Sequence, residues 1–194
     1  MLQQDNPTLI LASSSPRRQE LLRQAGISFQ VYAADINEDQ NAGEKPGEYA
    51  ERLAREKAQA VALHYPQSYV LGADTIVVVD GEVLGKPKDR ADAGRMLRLI
   101  SGRGHEVITA VSLVAPGART ETRACTTKVY FRKLTEDEIQ QYAASSEPMD
   151  KAGAYAIQGG ASRWTDRIEG EFSNVVGLPL SLVTDMLRTQ GLLK

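Results

Sequence analysis

A chain of 194 residues, of which 42% are hydrophobic and 25% charged, is long enough to bury one hydrophobic core. Its formal net charge of −2 argues against long nucleic acid and anionic membranes as partners. One cysteine, Cys125, excludes an internal disulfide and a thiolate metal cage. The polar start Met1–Pro7 and the short apolar stretch Leu9–Ala12 lack the length of a signal sequence or membrane span. We therefore expect a cytoplasmic protein with one domain over residues 1–194.

The first half of the chain alternates strand-like and helix-like segments. In chain order we predict a strand over Thr8–Ala12, a helix from Pro16 to a C-cap at Gly26, a strand over Ser28–Ala34, a long helix over Pro46–His64, and a strand over Tyr69–Val79 that turns at Asp80–Gly81 into Glu82–Leu84.

The second half continues with mixed elements. We predict a helix over Arg90–Ile100 closed by Gly102, strands over His105–Val114 and Arg119–Phe131 that flank the turn Pro116–Gly117, a helix from Thr135 to about Ser145, and a last helix from about Pro179 to Gln190. Thr135 and Glu138 have the spacing of a capping box. Since strands and helices do not alternate strictly, we expect an α/β fold around a mixed central sheet flanked by helices.

The segment Ser13–Arg18 places three serines, a proline and two arginines at the start of the first predicted helix. A helix N-terminus attracts anions through its unpaired N–H groups, and arginine adds bidentate contacts to phosphate. The segment is therefore a candidate phosphate site. The alternative, an ordinary serine N-cap followed by solvated arginines, explains the pattern equally well.

Asp74 lies within an otherwise apolar strand, between Gly72–Ala73 and Ile76–Val79. Burying an unpaired carboxylate is costly, so such a residue usually meets a cation, a metal or hydrogen-bond donors. The alternative is a structural aspartate that caps a neighbouring loop. We favour a functional role because Gly72 and Ala73 leave room for a ligand.

Three further charged residues are candidates only in combination with Asp74. Lys86 follows the hairpin and is placed to neutralise phosphate, Lys57 lies in the long helix, and Glu38 lies in the acidic loop Asp35–Asp39. Each alone is more typical of solvated surface. Glu38 and Asp74 together offer the oxygen ligands that Mg²⁺ and Mn²⁺ prefer. His64 and His105 show no zinc-site spacing, and Trp164 is assigned no role.

Several segments, taken in order, resemble the Maf family of nucleotide pyrophosphatases from Leu9 to about Leu187. The matching segments are Leu11–Arg18 with Glu20–Leu22, Ala54–Ala58, Gly72–Thr75, Gly85–Pro87, Ser101–Gly102, Asp150–Tyr155, Ile157–Gly159 and Val175–Pro179.

The resemblance implies a fold shared with inosine triphosphate pyrophosphatases, with a mixed sheet and a cleft between two lobes. It implies a catalytic carboxylate at Asp74, and catalytic or phosphate-binding cations at Arg18, Lys57 and Lys86. It also implies a divalent metal held by Glu38 and Asp74. Ser13 and Ser15 belong to the candidate phosphate segment, which also matches the family, so we expect both serines to bind substrate.

Substrate preference also follows from the resemblance. The family branch that acts on dTTP and UTP carries Arg, Thr and Gln at three specificity positions, which match Arg17, Thr75 and Gln158 here. A branch that acts on 7-methyl-GTP carries Trp, Gln and Glu instead. Phe172 departs from a common tyrosine, away from the proposed chemistry.

The hypothesis is therefore a cytoplasmic hydrolase that cleaves dTTP, UTP or modified pyrimidine nucleotides to the monophosphate and pyrophosphate. The expected partner is a small-molecule nucleotide, and neither long nucleic acid nor a membrane is expected. Whether the protein is a monomer or a homodimer is left open by the sequence. The rival hypothesis is a nucleotide-binding regulator of septum formation with little turnover, prompted by the family's link to that process.

Overall fold

A computed structural model describes residues 9–193, so the predicted polar start at Met1–Pro7 and the strand position Thr8 lie outside the described residues. One sheet has the strand order β2-β1-β3-β5-β6-β7, with β4 paired to β3. The strands are β1 Leu9–Leu11, β2 Gln30–Val31, β3 Tyr69–Val79, β4 Glu82–Leu84, β5 Gly104–Val114, β6 Thr120–Phe131 and β7 Thr165–Glu169. β1 runs parallel to both β2 and β3, whereas β4 and β7 are antiparallel to β3 and β6. The prediction of a mixed sheet is confirmed.

Helices flank this sheet. The α-helices are α1 Pro16–Gln24, α2 Pro46–Ala62, α3 Arg90–Ile100, α4 Glu136–Ala144, α5 Phe172–Val176 and α6 Leu180–Thr189. Short 3-10 helices cover Glu147–Asp150, Ala152–Ala154 and Gly160–Trp164. Among the described residues, no helix combines the length and the apolar character needed to cross a membrane.

Local sequence signals account for several of these boundaries. After α1, Gly26 adopts φ +70° and its N–H donates to Arg23 O, while Ile27 N–H donates to Leu22 O. This is a Schellman ending, which glycine favours because it has no Cβ. Asp80 and Gly81 both have positive φ, 50° and 81°, as a two-residue type I′ hairpin requires.

The predicted strand over Ser28–Ala34 shortens to the two exposed residues of β2. The alternating sequence predicts a longer strand, but only two residues pair, and both are exposed. The other predicted strands and helices are confirmed within about two residues. β7, α5 and the 3-10 helices were not predicted, because each is short and lacks a periodic pattern.

The chain forms two compact units. In the described chain the first comprises residues 9–74, 110–125 and 177–193. It contains α1, α2 and α6. One of its core clusters brings strand residues against one face of α2: Ile10, Ala12, Ala58, Val61, Val70 and Val114.

The second unit comprises residues 75–109 and 126–176, with helices α3, α4 and α5. Its core contains a group of edge-to-face aromatic contacts around Trp164, which is fully buried. The Trp164 ring centroid lies 4.8 Å from that of Tyr142 and 6.2 Å from that of Phe131. The expectation of one domain over residues 1–194 stays a prediction.

Candidate active site

The turn before α1 holds Ser13 and Arg18 in contact. Ser15 occupies the N-cap position of α1, but its side chain makes no capping hydrogen bond. The buried Ser13 hydroxyl oxygen accepts instead from Ser15 N–H at 3.3 Å and from Arg18 Nη1 at 3.1 Å. The alternative of an ordinary serine N-cap is therefore wrong.

Arg18 is fixed by backbone carbonyls as well. Its Nε donates to Gly177 O at 2.8 Å and its Nη1 to Ala73 O at 2.9 Å. Burial lowers the pKa of this guanidinium, while the nearby Asp74 carboxylate raises it. An arginine remains charged under these conditions. The alternative of a solvated arginine is therefore wrong for Arg18, whose positive charge is held beside the peptide that precedes Asp74.

Asp74 and Glu38 converge on one ammonium group. Lys57 Nζ lies 2.7 Å from Asp74 Oδ1 and 2.7 Å from Glu38 Oε1. Lys57 is only 9% exposed and Asp74 only 8%, whereas the Glu38 side chain is half exposed. The alternative of Lys57 as a surface lysine is wrong. Asp74 is paired with a cation, as a buried carboxylate requires.

Close packing of α2 on β3 brings Lys57 to Asp74. A Cβ at Gly72 would lie 2.7 Å from the Ala58 backbone N and still closer to Ala54 O. Only glycine therefore allows the helix backbone to approach the strand at this position. The prediction that Gly72 leaves room for a ligand is wrong, because α2 fills that space.

The pKa of Asp74 is raised above its usual value. Burial is the largest cause, and the positive charges of Lys57 and Arg18 oppose it. Glu38 adds a smaller contribution in the raising direction. The carboxyl group therefore has the environment of a base that is stronger than a solvated aspartate.

Two residues of α2 that the sequence did not single out hold the loop of Glu38. Tyr49 Oη donates to Glu38 O at 2.7 Å. Arg52 Nε and Nη2 donate to the Glu44 carboxylate at 2.6 and 2.9 Å, and Nη2 also donates to Asp39 O at 2.9 Å. Arg52 and Glu56 have the i,i+4 spacing of a helical ion pair, which was the available signal. The loop contacts themselves have no signature in sequence spacing.

Ser13, Arg18, Glu38, Lys57 and Asp74 thus form one connected group in the first unit. Ser15 and Arg17, at the start of α1, are partly exposed. The charge of Arg17 lowers the pKa of Arg18, so the two guanidinium groups lie near each other. Roles for Ser15 and Arg17 in substrate binding stay predictions.

Thr75, Lys86 and Gln158 belong to the second unit. Thr75 is partly buried, and its Oγ1 lies 3.0 Å from Thr109 Oγ1. Lys86, after β4, and Gln158, before a 3-10 helix, are exposed. Their assigned roles stay predictions.

The acidic residues fit a metal that is shared with a phosphate ligand. Within residues 9–193, no three His, Cys, Asp or Glu side chains cluster as a metal cage would require. However, Asp74 and Glu38 both direct a carboxylate oxygen at the same cationic group. Mg²⁺ is commonly bound through one or two carboxylates together with substrate phosphates. This pair therefore suits such an ion.

His105 is part of the core of the second unit. It is 3% exposed, and its Nε2 lies 2.9 Å from Tyr155 Oη. Burial lowers the pKa of His105 to about 4, so the ring is neutral near pH 7. Its contacts are those of a packed core residue.

Comparison with known proteins identifies the family. A family model described as "Maf-like protein" matches residues 8–190. A protein of Koribacter versatilis named dTTP/UTP pyrophosphatase is 54% identical over 186 residues, which are 95% of each chain. One of Citrifermentans bemidjiense with the same name is 53% identical over 97% of this chain and 98% of its own. The solved structure of the Ham1 protein of Staphylococcus aureus has a TM-score of 0.57 at 14% identity, covering 94% of this chain and 99% of that one, which shows a common fold. This chain belongs to the Maf family, because the family model spans nearly its whole length and the two relatives are identical to it at more than half of the aligned positions.

Proposed function

We propose that this chain is a cytoplasmic nucleoside triphosphate pyrophosphatase that hydrolyses dTTP and UTP to the monophosphate and pyrophosphate. The observation that carries the proposal is the buried Asp74 carboxylate, which lies 2.7 Å from Lys57 Nζ and beside the fixed guanidinium of Arg18. The names of the two relatives support the reaction and the substrates. Modified pyrimidine nucleotides belong to the same substrate class.

Asp74 is proposed as the general base. The pKa of Asp74 is raised toward neutral pH, and a base whose pKa lies nearer to the working pH removes a proton from water more effectively. The water oxygen forms a bond to the α-phosphorus while the bond from that phosphorus to the bridging oxygen of the β-phosphate breaks. The water proton passes to Asp74, and pyrophosphate leaves.

The cations of the site are proposed to stabilise charge that develops on the phosphates. Lys57 and Arg18 are held by protein acceptors, so they require little reorganisation during the reaction. Electrostatic groups fixed in advance are the ones that stabilise a transition state most. Lys86, Ser13 and Ser15 are proposed as additional phosphate contacts.

Asp74 and Glu38 are the residues proposed to hold Mg²⁺ or Mn²⁺. A bound divalent cation would neutralise phosphate charge and lower the pKa of a coordinated water molecule. Tyr49 and Arg52 contribute by fixing the loop from which Glu38 approaches. Arg17, Thr75 and Gln158 are proposed to read the pyrimidine base.

A panel of nucleoside triphosphates with Mg²⁺ or Mn²⁺ tests this function through release of pyrophosphate. Wild-type protein should act on dTTP and UTP in preference to the purine nucleotides. Asp74→Asn should reduce turnover of dTTP by about 10²–10⁴-fold, the usual contribution of a general base. Asp137→Asn, at an exposed acid in the first turn of α4, is the matched control.

Wild-type turnover by Asp74→Asn would rule out the role assigned to this carboxylate. Binding of dTTP by the wild-type protein without release of pyrophosphate would favour a regulator of septum formation instead.

A further inference from the structure

Gln158 lies in a tight turn of the second unit. Gly159 N–H donates to Ala156 O at 3.0 Å, which places Gln158 at the third position of a four-residue turn. The Gln158 side chain is exposed, whereas that of Ile157 beside it is buried. Since packing does not hold an exposed side chain, the backbone of this turn determines the region that the Gln158 amide can reach.

Two side chains from outside the turn hold its two ends. Ala156 N–H donates to Tyr142 Oη, on α4, at 3.0 Å. Gly160 N–H donates to Glu147 Oε2, at the start of a 3-10 helix, at 3.0 Å. Two attachments, one on each side of Gln158, restrict the turn more than either one alone.

Glycine at position 159 makes room for the Glu147 contact. A Cβ there would lie 2.6 Å from Glu147 Cδ and closer still to Oε1. The Glu147 carboxylate therefore occupies the space that a side chain would take next to Gln158. Because this carboxylate is the end of a flexible side chain, a methyl group at Gly159 would displace it without disrupting the fold.

Tyr142 is itself fixed by packing in the core of the second unit. It is 6% exposed, and its ring centroid lies 4.8 Å from that of Trp164. Burial, followed by the neighbouring Glu147 carboxylate, raises the pKa of Tyr142, so its hydroxyl keeps the proton near pH 7. A neutral hydroxyl still accepts a hydrogen bond through its oxygen. The turn of Gln158 is thus attached to a rigid part of the protein.

We propose that Tyr142 and Glu147 are positioning residues that hold the turn of Gln158 where its amide contacts the pyrimidine base. This inference rests on the proposed function and on Gln158 as a base contact. An amide has an acceptor oxygen and a donor nitrogen, and the edge of uracil or thymine has an N3–H donor beside carbonyl acceptors. Making two hydrogen bonds at once requires an amide at a defined position and angle, which the two attachments provide through the backbone.

A double-mutant cycle with dTTP as substrate tests whether the two residues act through Gln158. Glu147→Ala and Tyr142→Phe each remove one attachment. We expect each to lower kcat/KM about tenfold, mainly through KM, because a base contact stabilises bound substrate and transition state alike. In a Gln158→Ala background the same changes should alter kcat/KM by less than about twofold, since the contact through which they act is already lost.

Three further variants separate the contact from its surroundings. Gly159→Ala displaces the Glu147 carboxylate and should reproduce the effect of Glu147→Ala. Glu147→Gln keeps an oxygen that can accept from Gly160 N–H, so it should stay within about threefold of wild type. Asp137→Ala removes an exposed acid from α4 and should leave kcat/KM unchanged.

An abasic deoxyribose triphosphate, which keeps the sugar and phosphates of dTTP, separates base contact from general damage. Its kcat/KM should be the same for wild type, Glu147→Ala and Tyr142→Phe. If Tyr142→Phe does not fold, Glu147→Ala and Gly159→Ala carry the test. Equal losses on dTTP and the abasic substrate, additive losses in the cycle, or no loss on dTTP would overturn the inference. Absence of pyrophosphate release from dTTP by the wild-type protein would instead contradict the proposed function.

Discussion

At the scale of single residues, the Asp74 carboxyl group is subject to opposing effects. Burial favours its neutral form, while Lys57 and Arg18 favour its charged form, and burial is the larger effect. Its pKa in the folded protein is therefore higher than in the unfolded chain. Consequently, the free energy of unfolding includes a penalty that is absent below the unfolded pKa, grows as pH rises from the unfolded pKa to the folded pKa, and is constant above it.

This linkage predicts that Asp74→Asn does not destabilise the protein at pH 8. The substitution removes a desolvated charge, and Lys57 retains its ion pair with Glu38. Thermal unfolding followed by circular dichroism should give a midpoint equal to or a few degrees above that of wild type. Any advantage should disappear at acidic pH, where Asp74 is protonated in both states. A midpoint several degrees lower at pH 8, with Asp137→Asn unchanged, would contradict this account of the carboxyl group.

The charge of Lys57 should affect the pH dependence of activity. A base must be ionised, so kcat/KM for dTTP should decline as pH falls through the pKa of Asp74. Because Lys57 lowers that pKa, Lys57→Met should shift the decline to higher pH. Lys57→Arg keeps a positive charge and should keep the decline near its wild-type position. Profiles that coincide for wild type and Lys57→Met would show that this charge does not act on the base.

At the scale of elements, the contact between α2 and β3 determines the geometry of the candidate site. Lys57 and Asp74 are 17 positions apart in sequence and meet only because the helix backbone approaches the strand at Gly72. The close approach leaves no space for a side chain at Gly72. The helix α2 therefore has two roles. Its Ala58 and Val61 pack in the apolar core, and its Lys57 lies next to the Asp74 carboxylate.

Gly72→Ala should consequently reduce both stability and activity. The added methyl group must displace backbone atoms of Ala54 and Ala58, and overpacking of this kind costs about 1–3 kcal/mol. For a chain of this size, each 1 kcal/mol corresponds to about 2–4 °C in the unfolding midpoint. Gly47→Ala is the control on the same helix, because nothing lies within 4 Å of a Cβ there. It should be neutral or slightly stabilising, and equal midpoints for the two variants would contradict the packing.

Elements with strong local signals were predictable from sequence. The Asp80–Gly81 hairpin, the Schellman ending at Gly26 and the Thr135–Glu138 capping box all depend on residues within a few positions of one another. The extent of β2 and the existence of α5 depend on pairing and packing with distant segments, so their short sequences do not reveal them. The interpretation of Gly72 failed for the same reason: a glycine leaves space, but sequence does not say what fills it.

At the scale of the whole molecule, the predicted site residues come from many separate segments. Their grouping follows from the resemblance to the Maf family and not from their spacing in the sequence. The structure connects Ser13, Arg18, Glu38, Lys57 and Asp74 by hydrogen bonds, ion pairs and nearby charge. The roles of Tyr49 and Arg52 were not predictable, because these residues contact the backbone and the acidic side chains of a loop, and residue types alone do not reveal such contacts.

The most direct test of the central claim is hydrolysis of dTTP in water enriched in oxygen-18, with both products analysed by mass spectrometry. Attack of water on the α-phosphorus with Asp74 as base predicts labelled dTMP and unlabelled pyrophosphate from the wild-type protein. The same products should form about 10²–10⁴-fold more slowly with Asp74→Asn. Label in pyrophosphate or orthophosphate, or release of dTDP, would contradict the account.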